Sequence, residues 1–148
     1  MGAHNARYLI SKGEFEWWRD AIEGGTVKAY RKLCGTTASC RWVGRGLATF
    51  VEDDYAFEKE MPDEVRYVPL HGYTKHHCGL YLCSHPQDAI FTGDAIHHPI
   101  QLARPDWLNA GYDAAEAEQM IRDIIARLID TPTKLMTAHF VDPTAGGS

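Results

Sequence analysis

The sequence predicts an α/β (α+β) fold with a mostly β second half. Three observations point to it. Four runs of strand length crowd the second half, at residues 65–70, 78–83, 89–92 and 133–138. One long amphipathic helix lies between the last two of these runs, and a shorter strand–helix pair opens the chain. With 148 residues and no repeat, low-complexity tract or linker, a single domain spanning residues 1–148 is expected.

Taken in order, residues 7–10 read as a short strand. Ser11 or Gly13 then opens a helix over residues 14–23, with Phe15, Trp18 and Ile22 at helical spacing, and Gly24-Gly25 stops it. Thr26 caps a candidate second helix running to Leu33. Residues 34–46 favour no element. Residues 47–51 form a strand of weak pattern, residues 52–60 an acidic and exposed stretch, and Pro62-Asp63-Glu64 a turn.

Residues 65–70 alternate in strand fashion, and residues 78–83 are a continuous apolar run. Beyond the turn at residues 84–88, residues 89–92 pair back as the next strand. A long loop containing Pro99, Pro105, Trp107 and Gly111 leads to Asp113-Ala114-Ala115-Glu116, an Asp-x-x-Glu capping box. Behind the box, Ala117, Met120, Ile121, Ile124, Ile125 and Leu128 form one apolar stripe. Thr131-Pro132 ends this helix, because proline disfavours helical backbone in the residue before it. Residues 133–138 are the last strand.

Composition excludes several classes. A hydrophobic fraction of 45% and a charged fraction of 24% are those of an ordinary globule. The net charge is −5 and no run of Lys or Arg occurs, so no nucleic-acid partner is expected. No apolar stretch approaches the ~18–20 residues that span a membrane. No signal-peptide core follows residues 1–7, so a cytoplasmic location is expected. Neither Cys34 and Cys40 nor Cys78 and Cys83 have C-x-x-C spacing, which argues against a zinc knuckle. Cys78 and Cys83, five apart on opposite faces of one strand, are expected to be core thiols.

Three groups of residues carry candidate chemistry. The loop between two strands, residues 69–78, holds His71, His76 and His77, and imidazoles suit zinc and iron. The alternative is a polar turn with solvated histidines. In the second group, Thr92-Gly93-Asp94 ends a strand. Gly93 allows a tight turn there, so Asp94 can point out of the strand end as a metal ligand or as a cap on its own loop. The third group is Thr137-Ala138-His139-Phe140, where His139 ends another strand.

Together these groups resemble the metallo-β-lactamase superfamily, in its branch of lactonases and organophosphate hydrolases. The family loop Gly-His-Thr-Pro-Gly-His aligns with Gly72-Tyr73-Thr74-Lys75-His76-His77. The family Thr-Gly-Asp aligns with Thr92-Gly93-Asp94, and His97-His98-Pro99-Ile100-Gln101 also looks like that branch. The family's last histidine aligns with His139. The resemblance implies the C-terminal half of an αββα sandwich, a mixed sheet with helices on one face. It implies zinc chemistry, with Asp94 and His139 as metal ligands and His71 or His77 as a candidate third. Tyr73, His97, Arg104 and Trp107 are candidate substrate-pocket residues; the alternative for the loop that holds Arg104 and Trp107 is an ordinary packed connection.

The sequence departs from the family in two places. The motif His-x-His-x-Asp-His occurs nowhere in it, and Tyr73 stands where the loop's first histidine is expected. Tyrosine, with an unperturbed pKa of about 10, is a poor zinc ligand at neutral pH. The expectation is therefore an incomplete hydrolase, impaired as a lone chain, with zinc doubtful because the ligand set is short. A half fold leaves an apolar sheet face, so a homodimer or a partner chain is expected to cover it. The alternatives are a non-catalytic binding module and a mono-metal hydrolase of esters, lactones or thioesters.

Overall fold

In the computed structural model, which describes residues 7–25, 41–57, 64–84, 86–108, 113–140 and 145–146, a strand turns directly into a helix at Ser11. β1 (Tyr8–Ser11) pairs in parallel with β2 (Ala48–Val51). The Ser11 hydroxyl accepts a hydrogen bond from the Glu14 amide at 3.1 Å and caps α1 (Lys12–Glu23). Ser11, rather than Gly13, is therefore the helix start. No residue of α1 is fully buried, and its aromatic side pairs Phe15 with Phe50 at 5.0 Å between rings. Tyr8 stacks on Trp42 at 4.2 Å, from a helical stretch at residues 41–44 where the sequence favours no element. The candidate helix at residues 26–33, Cys34, Cys40 and most of the turn at Pro62 lie outside the described residues. These elements belong to the first of two units, residues 1–52 and 53–148.

The second unit is a five-stranded mixed sheet. Its strands are β3 (Val65–Pro69), β4 (Cys78–Leu82), β5 (Ala89–Phe91), β6 (Lys134–Met136) and β7 (Ala145–Gly146), neighbours in that order. All pairs are antiparallel except β5–β6, which is parallel. The parallel pair needs a crossover, and the connection between its strands contains α2 (Ile100–Ala103) and α3 (Ala114–Leu128). The loop expected after residue 94 thus carries a helical turn at Gly93–Ala95 and then α2. Asp113 caps α3, its Oδ1 accepting from the Ala115 and Glu116 amides at 3.0 Å.

The stripe on α3 builds the core. Met120, Ile121 and Ile124 pack with Val68, Leu70, Ile90, Ile96, Leu135 and Phe140. Ile90, Ile96 and Ile121 are at most 1% exposed, and each contributes about 1.5–3 kcal/mol by leaving water. Cross-strand partners share a sheet face. Ile90 and Leu135 are partners on the face that meets α3. Tyr67, Leu80, Phe91 and Met136 form the adjacent row, and so point the other way. Cys78 and Cys83, expected in the core, are only half-buried. Cys78 begins β4 at the end of the sheet, away from α3, and its thiol donates to the His76 carbonyl at 3.3 Å. Among the described residues no helix is long and apolar enough to cross a membrane.

Candidate functional site

Thr92 is fully buried, and its amide donates to the Met136 carbonyl at 2.9 Å, which extends the β5–β6 contact past the end of β5. Gly93 then takes a left-handed backbone, φ 55°, and lifts Asp94 out of the sheet. Because β5 and β6 are parallel, both end at the same edge. His139, three residues past β6, meets Asp94 there. The Asp94 Oδ1 to His139 Nε2 distance is 2.8 Å, and the two side chains are 42% and 43% exposed. The carboxylate only accepts, so Nε2 of His139 carries the proton in this pair.

His97 stacks flat on His139, with ring centroids 4.3 Å apart and planes 9° apart. Buried Gln101 fixes it there, because Oε1 of Gln101 accepts from the amides of His97 at 2.7 Å and His98 at 2.9 Å. Burial, followed by the neighbouring His139, holds the His97 imidazole below its ordinary pKa, although Asp94 opposes the shift. His97 is accordingly a neutral ring near pH 7. Tyr73 lies 5.3 Å from His97 between ring centroids. His97 and Trp107 both line an open concavity of about 530 Å³. Arg104, expected in the pocket, is not among its lining residues; it lies over the Trp107 ring at 4.8 Å and forks onto Asp106 at 2.7 and 3.0 Å.

The loop at residues 71–77 is pinned to α3. Gly72 has φ 123°, and a Cβ there would stand 2.4 Å from the Ala117 nitrogen. The Asp113 amide donates to the Gly72 carbonyl at 3.0 Å. The loop sends its histidines two ways. Nε2 of His77 donates to the Thr92 carbonyl at 2.9 Å, supporting the turn that carries Asp94. His71 and His76 instead turn to Asp53, with His71 Nε2 at 3.2 Å and His76 Nδ1 at 2.9 Å from its Oδ2. His71 is thus committed to Asp53, and His77 to the Thr92 backbone, rather than to the Asp94–His139 pair. Asp53 falls in the stretch expected to be exposed, yet its side chain is only 18% exposed because the two imidazoles cover it.

Asp94 and His139 supply two donors, whereas catalytic zinc usually takes three protein ligands and a water. Among the described residues, one group brings three potential ligand atoms within 4.8 Å of one another: Asp53, His71 and His76. The pair at Asp94 suits one side of a metal site and does not close one.

No protein-family model matches the sequence, and no curated protein matches it. Solved structures do. The hydrolase AbOPH of the β-lactamase superfamily superposes with a TM-score of 0.77 at 16% identity, over 97% of this chain and 51% of that one. The dizinc quorum-quenching lactonase AidC, in complex with a product, gives 0.71 at 18% identity, over 97% and 51%. A probable metal-dependent hydrolase from Staphylococcus aureus gives 0.72 at 14% identity, over 95% and 47%. The chain therefore has the fold of part of a β-lactamase-superfamily hydrolase. It spans about half the length of the structures it matches.

Proposed function

We propose that this chain contributes part of the active site of a metal-dependent hydrolase acting on an ester, lactone, thioester or phosphoester. The Asp94–His139 pair carries the reading: a carboxylate and an imidazole meet at 2.8 Å where two parallel strands end. These two residues would ligate the metal, and the remaining donors come from outside the described residues. When bound, the metal lowers the pKa of its water to ~7. His97, kept neutral beside His139, has a ring nitrogen able to accept a proton from water or substrate. Tyr73 and Trp107 offer aromatic surface for an acyl or aryl group.

Two donors hold a metal weakly, so hydrolysis by the lone chain is slow. Lactone and organophosphate hydrolysis with added zinc tests this. A zinc-dependent rate that disappears in Asp94→Ala and persists in His71→Ala supports the reading. No zinc-dependent turnover, or turnover indifferent to Asp94, would sink it and leave a non-catalytic binding scaffold.

The outward sheet face belongs to the same proposal. Phe91, 39% exposed, lies between Leu80 and Met136 in a row that points away from α3. The solved structures that the chain matches are about twice its length. A second copy of the chain, presenting the same row about a two-fold axis, is the proposed cover for this face.

A further inference from the structure

We propose a second, separate cation site at Asp53, His71 and His76, built for a borderline divalent transition metal such as zinc, cobalt(II) or iron(II). It shares no residue with the Asp94–His139 pair, and it stands or falls independently of the hydrolase reading.

The geometry is that of a set of ligands drawn together. Oδ2 of Asp53 lies 3.2 Å from Nε2 of His71 and 2.9 Å from Nδ1 of His76. The three atoms all fall within 4.8 Å of one another. Two donors each ~2.1 Å from a metal stand ~3.0 Å apart across a right angle and ~3.4 Å apart across a tetrahedral one. The separations from Asp53, 3.2 Å inside that range and 2.9 Å just below it, let a cation enter with small side-chain shifts.

The donor types choose the metal. Two imidazoles and one carboxylate suit zinc, cobalt and iron(II), whereas calcium and magnesium take all-oxygen sets. Three ligands from one side leave open positions for water. The side chains are 18–32% exposed, so the site is reachable from solvent. Without a cation, each imidazole donates an N–H to the carboxylate. On binding, each ring moves that proton to its other nitrogen and turns a lone pair inward. The backbone is held in advance, since Leu70 N donates to the His77 carbonyl at 2.8 Å and Gly72 N to the Thr74 carbonyl at 3.1 Å. Binding therefore orders little new chain.

Cobalt(II) is the probe. In the 148-residue chain carrying Asp94→Ala and His139→Ala, which removes the other pair, calorimetry gives one equivalent of cobalt(II) bound. Excess magnesium does not displace it. Adding His76→Ala weakens binding at least tenfold. In the unsubstituted chain, one equivalent of cobalt(II) shifts or broadens the ring resonances of His71 and His76, a readout that needs no variant to fold. Unperturbed His71 and His76 resonances overturn the proposal and leave Asp53 as a hydrogen-bonded anchor for the loop. Equal cobalt affinity with and without His76→Ala overturns it too.

Discussion

Asp94 and His139 stand 45 residues apart in sequence and 2.8 Å apart in space, held there by the parallel pairing of β5 and β6. Both side chains are more than two-fifths exposed. An exposed ion pair contributes only about 0–1 kcal/mol. Asp94→Ala and His139→Ala should therefore each move the urea unfolding free energy by less than about 1 kcal/mol. If the pair ligates metal, zinc-dependent hydrolysis should fall by ~100-fold or more in either variant, at least the cost of losing an outer-shell partner. A large loss of stability with unchanged hydrolysis would make the pair a structural clasp.

Tyr81 gives the clearest pH signature. Its hydroxyl donates to Asp88 Oδ2 at 2.5 Å, and that hydrogen bond, followed by burial, raises the phenol from 10.0 to about 12. The folded pKa exceeds the unfolded one, so the bond's contribution is whole below pH ~10 and declines as pH rises towards 12. Carbon-13 NMR of the tyrosine rings should show Tyr81 titrating well above the ordinary range, and Asp88→Asn should bring it down. Tyr81→Phe should cost about 1 kcal/mol at neutral pH, the worth of one partly exposed hydrogen bond.

What could be read from the sequence was local. The α3 stripe, its Asp113 cap and the three strands β3–β5 each announce themselves within a dozen residues, through periodicity and turn chemistry. Asp94 and His139 were legible because each follows a strand-like run. Tertiary structure decides the rest. β7 has two residues and exists by pairing with β6, so no run marks it. Asp53 meets His71 and His76 across 18 and 23 residues, and its neighbours read as a solvated acidic stretch. The three-histidine loop was the available signal for that cluster. Its pattern does not show that His76 and His77, adjacent in the chain, serve different neighbours. The role of Gln101, buried under the amides of His97 and His98, was equally invisible.

The outward row sets an expectation for assembly. Tyr67, Leu80, Phe91 and Met136 are cross-strand neighbours on one face. Burying such a row against its own copy removes apolar surface from water, at about 25 cal/mol per Å². Light scattering of the chain should return twice 16.6 kDa. Phe91→Glu places a charge in the middle of the row and should return the monomer mass with the fold intact by circular dichroism. A monomer mass for the unsubstituted chain would remove the dimer.

Gly72 is where the loop and the helix depend on each other most. Its φ of 123° is open to glycine and disfavoured for any residue with a side chain, and a Cβ would meet the Ala117 backbone at 2.4 Å. Both neighbours are fixed: Ala117 lies in the first turns of α3, and the Gly72 carbonyl holds the Asp113 amide beside the helix cap. Gly72→Ala thus adds backbone strain of ~1–3 kcal/mol to a steric clash that α3 cannot relieve without shifting. Urea unfolding should show a loss of about 3 kcal/mol or more. The damage should also reach both clusters, since the loop carries Tyr73 and His77 towards Asp94 and His71 and His76 towards Asp53. Even under conditions where the variant remains folded, His71 and His76 should show altered ring shifts and His97 should lose its contact with Tyr73. A Gly72→Ala chain as stable as the original, with those resonances unmoved, would show that the loop is free to relax away from α3.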